Sequence, residues 1–214
     1  MTNDDALNEA IELLSNSRSP KRRSGAKRLR KLGDERAGPA LMEALKREMK
    51  DARTWETQYQ MIVALGACQY VDALEYFREL ANEEFEATMI YVALGDAITR
   101  LSGPIDEHAE TVMAMVQSGN ADLADGALRA MAMQRAVPGL KVIESLIKYV
   151  TGFDVQERQR SNRRFWVAAA APGWLDISPQ VRPFLADCAK SKNTGLRDAA
   201  TKALDGKYKK YSPL

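Results

Sequence analysis

An all-α fold stacked from short paired helices is what this sequence predicts, on three observations. The first is a repeat. The segment 24–33, a turn and the segment 39–48 are echoed by 57–66, a turn and 70–79. Superposing Leu32-Gly33 on Leu65-Gly66 gives a period of 33 residues, the length of two short helices and two turns. The second is proline placement. Pro20, Pro39, Pro104, Pro138 and Pro179 fall at expected helix starts, where the missing N–H costs nothing. The third is that no stretch shows the period-two alternation of a half-buried strand.

The elements follow in order. Residues 4–15 read as an amphipathic helix with Leu7, Ala10, Ile11 and Leu14 at helical spacing, and Asp5 is placed to cap it. Paired helices come next, the first of each pair called A and the second B. Pair 1 covers 20–32 and 39–50, and pair 2 covers 54–65 and 70–81. Pair 3 covers 84–101 and 104–118, and pair 4 covers 122–134 and 138–150. Pair 5 covers 158–171 and 180–190, and a last A helix, 195–205, precedes a basic tail. Gly33 and Gly66 are expected just past A helices as left-handed caps. Pro172 falls in a turn, and Pro183 marks the first turn of its helix. Equating Leu32, Leu65, Ile98, Met133, Ala170 and Leu204 gives steps of 33, 33, 35, 37 and 34 residues. Leu29, Leu32, Ile62, Leu65, Leu74, Phe77, Val112, Leu140 and Ile143 are the expected core. The chain reads as one domain, 1–214.

Composition is that of a soluble globular chain, 45% hydrophobic and 28% charged. The acidic N-terminus and the lack of a long apolar run lead to the expectation of a cytoplasmic protein. Cys68 and Cys188 are 120 residues apart and read as buried free thiols. Charge is unevenly spread. Residues 1–17 carry four acids and no base, and residues 18–53 carry 13 Lys/Arg against 5 Asp/Glu. Residues 54–126 reverse to 2 against 13, and residues 127–214 return to 16 against 7. A stack that keeps sequence order in space would turn these blocks into basic, acidic and basic zones.

Arg22/Arg23, Ala26, Leu32-Gly33 and Pro39, with Arg197, Ala200 and Leu204, resemble the Arg-x-x-Ala-x-x-Leu-Gly pattern of HEAT repeats. The likeness is to the short bacterial, armadillo-like variety also found in bilin-lyase relatives. It implies a right-handed α-solenoid of about five HEAT-like helix pairs plus terminal half-repeats, with A helices convex and B helices lining a concave groove. It implies no particular chemistry.

Within that frame the B helices carry the candidate site. An apolar stripe at Val71, Leu74, Phe77, Leu80 and Ala81 leaves Asp72, Glu75, Tyr76 and Glu79 outward. A second stripe, Ile105, Ala109, Val112–Met113 and Val116, leaves Glu107 and Glu110 outward. Helix 39–50 offers Lys46, Arg47 and Lys50, and helix 138–150 offers Lys141, Glu144 and Lys148. The expected groove has an acidic floor with basic rims, suited to a protein partner with a basic surface. Arg18–Lys31, with eight Lys/Arg in fourteen residues and no acid, could instead hold phosphates or be a solvated convex face. Trp166 and Trp174-Leu-Asp176, beside Arg158, Arg160, Arg163 and Arg164, resemble the aromatic-plus-aspartate sites of HEAT-like alkylpurine DNA glycosylases. Core packing is the competing role for Trp166, which lies between Phe165 and the run Val167–Ala171.

Metal chemistry finds little footing. Deoxyhypusine hydroxylase, a HEAT-repeat enzyme, is built on paired His-Glu motifs, whereas this chain has one histidine, His108, preceded by Glu107. No cofactor is expected, and no Gly-rich phosphate loop or nucleophile elbow is present. The sequence thus reads as a non-enzymatic scaffold that holds another protein, as an adaptor or a toxin-neutralising immunity protein. The alternative is a nucleic-acid-binding protein or glycosylase using the basic terminal zones; no membrane partner is expected.

Overall fold

The computed structural model describes residues 2–104, 109–153 and 163–210, which contain twelve α-helices and no strand. They are α1 (Asn3–Leu13), α2 (Ser19–Leu32), α3 (Gly38–Glu48), α4 (Trp55–Ala67), α5 (Leu74–Leu80) and α6 (Met89–Leu101). The rest are α7 (Ala109–Gln117), α8 (Ala121–Gln134), α9 (Leu140–Thr151), α10 (Arg164–Ala170), α11 (Val181–Cys188) and α12 (Thr194–Leu204). The fold is all-α, an α-solenoid of helix pairs in which α2, α4, α6, α8, α10 and α12 are the A helices and α3, α5, α7, α9 and α11 the B helices. The chain folds into two compact units. Unit 1 holds residues 1–103 with 120–127, and unit 2 holds 104–119 with 128–214.

Unit 1 is layered as the repeat requires. Helix α2 packs on α1 and α4, α4 packs on α6, and the B helices α3 and α5 lie against α4 and α6. A Thr2 cap opens α1. Its hydroxyl accepts from Asp5 N at 3.1 Å while Asp5 Oδ2 accepts from Thr2 N at 2.8 Å. Asp5 is therefore the third residue of a capping box, not the cap itself. Gly33 closes α2 at φ +64, but Gly66 does not play that part for α4. Helix α4 runs one residue beyond it, to Ala67, and Gln69 takes the left-handed turn at φ +55.

Gly66 instead lets two A helices approach, since a Cβ there would sit 2.9 Å from Ala97 Cα. The next interface repeats this from both sides. A Cβ on Gly95 would meet Leu123 O at 2.1 Å, and one on Gly126 would meet Val92 O at 2.1 Å. Backbone lies against backbone on α6 and α8, so neither position admits any side chain.

Three departures from the expected register have local causes. Helix 70–81 begins as a 3-10 turn, Val71–Ala73, before α5 proper. Its tighter winding turns Val71 out, 56% exposed, and buries Ala73 instead. Leu74 and Leu32 end half-buried. The third A helix starts at Met89 rather than 84, and Glu83–Thr88 form a connection. Tyr91 pins it: its hydroxyl donates to Glu83 O at 2.8 Å and accepts from Phe85 N at 3.2 Å.

Unit 2 packs α10 on α12 and α9, and α11 on α12 and α9, with α7 also against α9. Its largest core side chain is Trp174, fully buried in a short 3-10 turn, Ala171–Trp174, with its indole N–H donating to Ala136 O at 2.8 Å. Helix α9 starts at Leu140, later than expected, and this residue is 44% exposed rather than core. Ile143, Leu146, Ile147 and Val150 carry the buried stripe of α9. Pro183 sits in the first turn of α11, as its sequence position required. Both cysteines are buried and free. Burial pushes the Cys68 thiol up to about 11 and the Cys188 thiol up to about 12.

Candidate functional site

In unit 1 the B helices α3 and α5 stand side by side, and their outward face carries most of the residues selected from the sequence. Lys46 and Arg47 are exposed on α3, Lys50 in the turn after it, and Glu75 and Glu79 on α5, with Asp72 exposed in the preceding 3-10 turn. Tyr76 joins the two helices. Its ring is half-buried, and Lys46 Nζ lies 5.5 Å from its centroid, a cation–π distance. Burial, with the Glu83 and Glu79 charges, pushes the Tyr76 hydroxyl above its ordinary value.

Several of these charges are already answered within the fold. Arg47 pairs with Glu43, and Arg78 pairs with Glu75 at 2.5 Å. Asp72 raises the Tyr70 hydroxyl, chiefly raised by burial, through its charge and a hydrogen bond. Among the described residues no ion pair is made by exposed Glu79 or by Glu83, Glu84 and Glu86 on the α5–α6 connection, nor by Lys46 and Lys50 on the α3 side. The three glutamates of the connection were missed because the A helix was drawn from 84. The signal for them was Phe85 enclosed by three glutamates, which cannot all turn away from the core of a helix.

Other expected members of the acidic floor do not join them. Glu110 is exposed on α7 in unit 2, and Glu107, like His108, lies outside the described residues. Among the described residues no three His, Cys, Asp or Glu side chains group as metal ligands, and no helix is long and apolar enough to cross a membrane.

Four of the arginines read as phosphate grips, Arg22, Arg23, Arg163 and Arg164, are engaged within the fold. Arg22 Nε lies 2.6 Å from Glu48 Oε2 and its Nη2 lies 2.8 Å from Glu48 Oε1. Its Nη1 donates to Asn16 O and Ser17 O at 2.8 and 2.9 Å. Ser19 Oγ also donates to Glu48, at 2.9 Å. Burial alone would raise the Glu48 carboxyl, yet bonds from Arg22, Ser19 and Thr54 hold it below the usual carboxylate range. Arg23 pairs with Glu56. Arg164 is buried, giving Nη1 to Asp187 Oδ2 at 2.7 Å, Nε to Phe153 O at 2.9 Å and Nη2 to Thr151 O at 3.1 Å. Arg163 covers the Phe153 ring at 4.2 Å. Arg158 and Arg160 lie outside the described residues. Trp174 offers no exposed face, Trp166 is half-buried edge-on to Phe165, and Asp176 is exposed. The aromatic platform imagined for a glycosylase therefore loses Trp174 and Arg164 to the core.

Lys21, Lys27, Arg28 and Lys31 are the exposed cations on α2. In unit 2, Lys141, Glu144 and Lys148 line an open depression between α9 and α11.

Residues 21–47 match the family model described as PBS lyase HEAT-like repeat. That window covers α2, the following turn and most of α3, the first complete A–B pair. Set against curated proteins, the chain finds no match. HEAT-like repeats are in general protein-interaction or scaffold modules.

Proposed function

We propose that this chain is a protein-binding module whose α3–α5 face in unit 1 takes a partner with a basic surface, in an adaptor or toxin-neutralising role. One observation carries the reading: exposed Glu79, Glu83, Glu84 and Glu86 have no ion pair among the described residues, beside the half-buried Tyr76 under Lys46. Like charges held together repel by about 1 kcal/mol per close pair in a surface environment. A basic partner relieves that repulsion and is steered to the face. Tyr76 supplies the rigid amphipathic contact that interfaces favour.

The test uses Glu79→Lys/Glu83→Lys against a control on the other layer, Lys27→Glu/Lys31→Glu. All four side chains are exposed. Arg22 and Arg23 are unsuitable controls because both are paired within the fold. A basic protein captured by the wild type is purified and its association measured against each variant. The acidic-face reversal is expected to slow association about 10-fold, with an effect that shrinks as salt rises. The control is expected to stay within about 2-fold. Equal losses from both variants overturn the assignment of the face. DNA binding lost only in the control would put nucleic acid in place of the protein partner.

A further inference from the structure

We propose that the depression between α9 and α11 in unit 2 is a second docking surface. It suits a short acidic segment of another protein with an apolar anchor residue between its carboxylates. This goes beyond the reading of unit 1, because it lies in the other unit and selects the opposite charge.

The depression has a volume of about 930 Å³, room for a few side chains of an incoming chain. Its base includes Ile147 and Phe184, both buried, and the α11 side adds exposed Pro179 and Pro183. Prolines present ring surface and no N–H, so apolar contact dominates this side, with the exposed Gln180 amide as its hydrogen-bonding group. The hydroxyls on the α9 side are used within their own helix. Ser145 Oγ donates to Lys141 O at 2.8 Å, and Thr151 Oγ1 donates to Lys148 O at 3.0 Å. Specific polar recognition is left to charge and to the Gln180 amide.

The charge is biased. Asp187 at the rim is held by Arg164 at 2.7 Å. Lys141 and Lys148 are exposed and make no ion pair among the described residues, with Glu144 alone between them. The two lysines are seven positions apart on one helix, about 10 Å along its axis. A segment in the polyproline II conformation turns once every three residues and rises about 3.1 Å per residue, so carboxylates at positions i and i+3 share one face about 9 Å apart. They therefore meet both lysines, and an intervening side chain turns toward Ile147 and Phe184. A basic segment would face two cations, and a nucleic-acid strand would find prolines and Glu144 where it needs donors.

The probe is a fluorescein-labelled peptide, Gly-Ser-Glu-Leu-Phe-Glu-Ser-Gly, followed by anisotropy against the full chain. Counterparts carry Gln or Lys in place of both Glu. Saturable binding is expected, about 10-fold weaker in Lys141→Glu/Lys148→Glu and weakening as salt rises. Pro183→Asp, an exposed first-turn position that tolerates a carboxylate, is expected to abolish it by repelling the probe from the apolar side. Helical circular dichroism unchanged in both variants shows that the loss is local. Absence of saturable binding, indifference to the lysine reversal, or equal affinity for the Gln or Lys peptide each overturns the proposal. Displacement of the probe by a single-stranded oligonucleotide at lower concentration than by unlabelled peptide also overturns it. Glu79→Lys/Glu83→Lys should leave the titration unchanged, so this site and the unit 1 face fail separately.

Discussion

Arg22 and Arg164 hold equivalent stations in the two units. Each lies in the first turn of an A helix, reaches an acid at the end of the paired B helix, and caps two carbonyls at or just past the end of the preceding helix. The burial is inverted, however. In unit 1 the carboxylate is the hidden partner, with Glu48 2% exposed and Arg22 21% exposed at the side chain. In unit 2 the guanidinium is hidden, with Arg164 at 8% and Asp187 at 50%. The same clasp therefore depends on different members. A buried carboxylate needs its cation, whereas a buried guanidinium with two carbonyl acceptors keeps most of its partners when the acid is lost.

The widest gap between the two clasps is expected from Arg22→Gln. It leaves Glu48 buried without a cation and Asn16 O and Ser17 O without their donor, and should cost about 3–5 kcal/mol. Hydrogen exchange over residues 16–58 would show protection falling there before it falls in α10–α12. Unchanged protection would mean that Ser19 and the Gln58 bonds to Glu48 O and Asp51 O suffice to hold the junction.

Acid should separate the clasps next. Glu48 has a folded-state pKa below its unfolded value of 4.5, so its stabilising contribution is present above about pH 4.5 and is lost as pH falls through the depressed value. Unit 1 should loosen in that window, and Glu48→Gln should flatten the response while lowering stability at neutral pH. The hidden member of the unit 2 clasp is an arginine, which stays charged throughout. Exchange followed from pH 6 to 3 would compare them directly.

The smallest effect is expected from Asp187→Asn, about 1–2 kcal/mol, because the amide oxygen can still accept from Arg164, which keeps the Phe153 and Thr151 carbonyls as acceptors. A thermal melt of this variant beside Arg22→Gln measures the asymmetry. Equal losses would erase it.

How much of this was legible depends on the distance over which each feature is decided. Helix existence is a local property, and the apolar period anchored by the Leu-Gly repeat placed the A helices, apart from the first turns of the third and the start of the fifth, whose expected residues 158–162 lie outside the described ones. Val71 was misplaced because three residues of 3-10 winding shift the stripe without changing composition. The charges of Arg22 and Arg164 were plain in the sequence, but their acids stand 26 and 23 positions away. An exposed basic face and an internal clasp have the same local spelling. Tyr76, expected outward on α5, is half-buried beside Lys46, and the places of Glu83, Glu84 and Glu86 depend on where α6 begins. The depression beside Pro183 depends on how two B helices separate, which no single helix encodes.

Gly95 and Gly126 bear on the order in which this protein can be made. The two glycines belong to one contact, yet 31 positions separate them in the chain. A chain cut after Gly103 has α6 complete, but the stretch 120–127 that covers its Gly95 face is missing. Unit 1 therefore cannot close during synthesis until the first half of α8 has left the ribosome, and by then Pro104–Gly119 of unit 2 is already outside. Biogenesis is interleaved, and neither unit can be excised at a single cut.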